Sequence, residues 1–157
     1  MTESNAGATR QPAASPNLEL RLTRVFNAPR ALVYKVWTDP KHVAQWWGPR
    51  DFVTTIREME VKPGGAWRYT MRGPDGNDYP FDGAFLAVEE PERLVSEGSI
   101  HGDPEQKVWT EVKFSEQDGK TTLTVLQRFE FESYATRGAP IGWNQMLDRL
   151  TEYLAKA

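Results

Sequence analysis

Few groups in this chain could do chemistry. There are two histidines, His42 and His101, and no cysteine. His101-Gly102-Asp103 is the one close pairing of an imidazole with an acid, short of the three or four ligands that a zinc site needs. Both histidines are therefore expected to be ordinary polar residues, His42 on a helix and His101 on an exposed loop, and no metal is expected. Ser96 and Ser99 lie in a strand-like run without a Gly-x-Ser-x-Gly turn, so they read as plain strand positions. Pro63-Gly64-Gly65 joins two strand-like runs rather than a strand and a helix. It reads as a turn, not as a phosphate cradle. No cofactor is expected.

Polar residues set among apolar ones are more informative. Arg24 continues the alternation of Leu18, Leu20 and Leu22, and Gln127 continues that of Leu123 and Val125. A polar group facing inward costs about 1–3 kcal/mol unless it finds a partner. Each is thus either an anchor for a ligand's polar group or a strand-end residue reaching water or a carboxylate. A third set is apolar and largely aromatic: Trp67, Tyr69, Met71, Phe81, Phe85, Val112, Phe114, Trp143, Met146 and Leu150. By alternation or helical spacing these point to one enclosed side. Such a set either packs on itself as core or lines a pocket. Its two methionines would suit a pocket of broad tolerance.

The elements that must position these residues follow from the pattern. Met1 to Pro16 lacks periodicity and is rich in Ala, Ser, Asn, Thr and Pro, so residues 1–17 are expected to be a disordered tail. A strand starts at Leu18. Pro29 suits the first turn of a helix carrying Leu32, Val33, Val36 and Trp37. Asp39-Pro40 reads as a cap and first position of a second short helix, with Val43, Trp46 and Trp47, stopping at Gly48-Pro49. Six strands are expected next: Phe52–Lys62 with a bulge, Trp67–Arg72, one from Tyr79 that ends at Glu90-Pro91 with Tyr79, Phe81, Gly83, Phe85 and Ala87 on one face, Arg93–Ile100, Lys107–Ser115 and Thr121–Glu130. The connections Gly73-Pro74-Asp75-Gly76-Asn77 and Asp118-Gly119 are turn signals. Trp143, Met146, Leu147, Leu150 and Leu154 form the apolar stripe of a closing helix.

Size and composition set the outer bounds. With 157 residues, 39% hydrophobic and 26% charged, the chain is one globular domain over 18–157. A net charge of −3 offers no basic footprint for nucleic acid or anionic lipid. No apolar run approaches the ~20 residues of a membrane span, and the start lacks a secretory pattern. A cytoplasmic address is expected, with neither nucleic acid nor membrane as partner.

Seven motifs in order then carry a resemblance. They are Ala28-Pro29-Arg30, Trp37-Thr38-Asp39-Pro40, Trp46-Trp47-Gly48-Pro49, Pro63-Gly64-Gly65, Gly73-Pro74-Asp75-Gly76, Pro91-Glu92-Arg93-Leu94 and Gly142-Trp143. From about Leu18 onward the chain resembles the START-like (SRPBCC) superfamily. Within it, the chain looks most like the C-terminal domain of activators of the ninety-kilodalton heat-shock protein's ATPase. The resemblance implies an α+β helix-grip fold: a curved antiparallel seven-stranded sheet around a long C-terminal helix, with two short helices after strand one and a cavity between sheet and helix. It implies no single function. True activators carry a further N-terminal domain, and the first sixteen or so residues here are too few and too polar to supply it.

Three functions are consistent with these residues. One is a soluble binding protein for an apolar or aromatic molecule, using the aromatic set with Gln127 and Arg24. Another is a chaperone-partner module, tied to the stress response. The third is an enzyme of the cyclase or hydrolase kind found on related folds. The chain is expected to be a monomer or a homodimer.

Overall fold

A computed structural model describes residues 18–100, 103–130 and 134–156. The predicted tail and the His101-Gly102 pair lie outside the described residues. The order is β1 (Glu19–Phe26), α1 (Arg30–Thr38), α2 (Pro40–Trp46), β2 (Val53–Met59), β3 (Ala66–Arg72), β4 (Asp78–Glu89), β5 (Arg93–Ile100), β6 (Asp103–Gln117), β7 (Lys120–Phe129) and α3 (Tyr134–Leu154). The seven strands form one antiparallel sheet, β1-β7-β6-β5-β4-β3-β2, curved and open. This is the α+β helix-grip arrangement that the resemblance implied.

Local chemistry accounts for most boundaries. Asp39 caps α2 by accepting from the Lys41 amide at 3.0 Å, with Pro40 in the first helical position. Pro29 sits one step earlier than expected: it is the extended cap residue of α1, not part of its first turn. Asp118 and Gly119 both take positive φ, the geometry that a two-residue hairpin between twisted strands demands. The expected irregularity in β2 is a register shift between Ile56 and Glu58.

Two expectations are corrected. Alternation alone puts Ala87 on the same face as Phe85, but a bulge between Phe85 and Ala87 inverts the remainder of β4. Ala87 therefore packs on the convex face with Val95 and Trp109, while Val88 joins the interior. α3 also begins nine residues before Trp143, at Tyr134, and accommodates Pro140. Gly138 and Pro140 are poor helix formers, so no apolar stripe announces that first stretch.

The concave face holds the main core. Phe26, Val33, Val36, Trp46, Phe114, Leu123, Val125, Leu147 and Leu150 are all essentially inaccessible there. Among the described residues α3 packs backbone to backbone most extensively against α2 and β1. It lies toward the β1–β7 side of the sheet and away from β3 and β4. On that far side, strand pairing aligns Gly98 with Gly83 and Gly83 with Trp67. The Trp67 indole covers this bare backbone: a Cβ built on Gly98 would come within 2.4 Å of it and 2.6 Å of the Asp82 carbonyl.

That contact makes a prediction. Gly98→Ala should destabilise the fold by about 1–3 kcal/mol through overpacking, read as a lower urea midpoint. An unchanged midpoint would show that the indole is free to lift away.

Candidate binding site on the concave face

Where Trp67 lies on the floor, its neighbours continue the surface. The Trp67 and Tyr69 rings are 5.5 Å apart and 25° from parallel, and Tyr69 and Phe81 are 5.1 Å apart at 15°. Tyr69 and Phe81 face each other across the β3–β4 ladder, so strand register itself stacks them. The three rings thus form one offset stack on the inside of the curve. All three side chains are only half-buried, as is Met71 beside them.

The contrast with the rest of the same face is sharp. Val112, Phe114 and Leu150 are at most 4% exposed, and Met146 only 5%. These three sheet and helix partners of the predicted set, with Met146, belong to the sealed core. Phe85 is buried at the border between the two regions. One end of the concave face is closed by α3, and the aromatic end is not closed to the same degree.

Trp143 and Trp47 stand over that border. Their rings meet at 5.8 Å, and Trp47 meets Tyr69 at the same distance. Trp143 also stacks on Trp37 at 6.3 Å, and Trp37 touches Trp46 and Phe114. Sequence reasoning put Trp37, Trp46 and Trp47 on helix faces without joining them to the site. Only the fold brings α1, α2, α3 and the sheet into one aromatic network.

The polar pair separates. Gln127 faces α3, accepting from the Trp143 indole at 2.9 Å and donating to Thr110 Oγ1 at 3.0 Å. Arg24 lies on β1 at the sheet's edge, bound to Asp148 at 2.9 Å and Asn144 at 3.3 Å on α3. It fastens the helix and stands apart from the aromatic floor. His42 hydrogen-bonds Tyr153 at 2.6 Å, and no group of metal-binding side chains occurs among the described residues.

Arg149, which no sequence signal singled out, holds the segment that carries Trp47. Its guanidinium donates to the carbonyls of Gly48 at 2.9 Å and Pro49 at 3.0 Å, with Trp47 and Phe52 slightly farther. Gly48, at φ +104°, turns the chain there. Burial, then the nearby Arg50, lowers the Arg149 pKa, and the converging carbonyl dipoles offset that cost.

A recess of about 360 Å³ opens elsewhere, beside α1, lined by Ala31, Tyr34, Lys35, Thr38, Val61, Val88 and Glu90. It does not touch Trp67, Tyr69 or Phe81. The Tyr34 hydroxyl beside it is buried with no partner among the described residues.

Comparison with known proteins fits this geometry. Residues 27–155 match the family model described as Activator of Hsp90 ATPase homolog 1-like protein. The chain belongs to that family. No curated protein matches it. Among solved structures, a Chromobacterium violaceum protein superposes with a TM-score of 0.81 at 24% identity, covering 87% of this chain and 96% of that one. An Arthrobacter aurescens protein gives 0.80 at 24%, covering 96% and 93%. DynU16, from the dynemicin biosynthetic locus, gives 0.72 at 25% and covers 89% of this family member, which spans 48% of DynU16. No helix among the described residues is long and apolar enough to cross a membrane.

The two interior phenols generate a pH prediction. Burial, with a smaller push from Glu90, raises the Tyr34 pKa to about 12. Burial raises Tyr69 as well, against a hydrogen bond from Trp47. An unfolded tyrosine ionises near pH 10, so the Tyr34 contribution to stability is complete below about pH 10 and is lost as pH climbs through about 12. Tyr34→Phe removes one such group and an unpaired hydroxyl together. It should leave stability near pH 7 within about 1 kcal/mol and raise the midpoint pH of alkaline unfolding, followed by near-UV circular dichroism. A lower midpoint would contradict the burial argument.

Proposed function

We propose that this member of the family is a soluble binding protein for an apolar or aromatic small molecule, seated between the β3–β5 floor and α3. One observation carries the reading. Trp67, Tyr69 and Phe81 sit on the concave face, where such side chains are ordinarily sealed, yet all three retain accessible surface. A stack of aromatic rings on an inner wall offers an apolar guest its accessible edges and end face, with Trp47 and Trp143 bordering it. The DynU16 neighbour comes from a biosynthetic locus, which accords with a small-molecule guest.

The magnitudes are adequate. Burying ~300 Å² of apolar ligand surface contributes ~7 kcal/mol gross at ~25 cal/mol per Å². Association costs reduce this to affinities in the micromolar range or weaker. A chaperone-activating role is the second reading, favoured by the family match over residues 27–155. Chaperone ATPase turnover with and without the protein distinguishes it.

Titration with N-phenyl-1-naphthylamine, followed by tryptophan quenching and probe emission, should saturate at micromolar concentrations. Phe81→Leu removes one aromatic face and should weaken binding by about two- to tenfold. Ile141→Ala, at a site 66% exposed on α3, should leave it unchanged. Absence of saturable binding, or equal loss in both variants, would refute the assignment.

A further inference from the structure

The floor has a polar row beside its aromatic one. Register places Ser96, Thr110 and Gln127 side by side across β5, β6 and β7, next to the row in which the Trp67 indole covers Gly98. All three are half-buried on the face that looks toward α3. Hydroxyls and an amide in such a place need partners, and the partners they have run in one direction.

The direction is set by Trp143. An indole N–H can only donate, so the Gln127 amide must turn its oxygen toward Trp143. Its NH2 then faces Thr110, whose oxygen must accept. The Thr110 hydroxyl proton is left over, and among the described residues it meets no acceptor. Ser96, the next residue along the row, makes no side-chain hydrogen bond among them either. A chain of bonds that begins at an obligate donor therefore ends on a donor.

We infer that the ligand carries a hydrogen-bond acceptor, most simply a carbonyl oxygen, received by the Thr110 hydroxyl with Ser96 beside it. This rests on the binding reading above and adds the chemical class of the guest. Adjacent rows and strands put Thr110 about 7 Å along and 5 Å across from Gly98. A naphthalene-sized body resting on the Trp67 indole thus brings a ring substituent to that hydroxyl.

A matched pair of probes tests it: 2-acetylnaphthalene against 2-isopropylnaphthalene, alike in shape and differing in the carbonyl. The wild-type protein should bind the ketone about three- to tenfold more tightly, the range of one neutral hydrogen bond. Thr110→Val should abolish that preference by weakening the ketone alone, and Thr110→Ser should retain it. Gln127→Glu should also abolish it, because a carboxylate accepts the Thr110 proton and leaves no donor for the guest. Equal affinity of the two probes for wild type, or equal weakening of both by Thr110→Val, overturns this inference and leaves the apolar floor standing. Binding of neither probe overturns the floor itself, and the inference with it.

Discussion

One helix cannot cover this sheet. Seven strands spread about 29 Å across, whereas a helix with its side chains is about 10–12 Å wide. α3 is fastened on the β1–β7 side by Arg24 with Asp148 and by Trp143 with Gln127. Its apolar stripe joins the same core as Leu123, Val125, Val112 and Phe114, which are sealed. What remains of the concave face needs other cover, and the chain supplies the largest side chains it has. Trp67 lies over two glycines, Tyr69 and Phe81 stack beside it, and Trp47 meets Tyr69 and Trp143 edge to face. The half-buried state of the floor is a consequence of that geometry.

Trp47 is where the parts meet. It touches Trp37, Trp46, Tyr69 and Trp143, and so joins both short helices, β3 and α3. Its own backbone carbonyl is bound by Thr54 at 2.6 Å, and the carbonyls just after it are bound by Arg149. A charged side chain with its surface partly buried is expensive unless hydrogen-bonded. Here the partners are the turn itself, so the same contacts that satisfy Arg149 hold Trp47 against the site.

Much of the fold was legible because its signals are local. The Asp39-Pro40 cap, the Gly48 stop, the Asp118-Gly119 hairpin and the alternation of Trp67, Tyr69 and Met71 each depend on a few neighbouring residues. Ala87 was misplaced because one bulged residue reverses everything after it, and nothing in the composition of β4 marks the bulge. The start of α3 was hidden by Gly138 and Pro140, which tertiary placement overrides. Within the site, alternation identified the inward side chains but could not say which would be sealed, since that depends on where α3 lies across the sheet. Gln127 looked like a lone polar intrusion. Its meaning comes from Trp143 and Thr110, 16 and 17 residues away along the chain. Arg149, read from spacing, is one more charged residue on a helix.

The central claim is that space for a guest exists above Trp67, Tyr69 and Phe81, and xenon tests it without assuming any ligand chemistry. Crystals pressurised with xenon should show an atom bound between that floor and Trp143. Xenon found only in the recess beside Tyr34, or nowhere inside the curve of the sheet, would contradict the account.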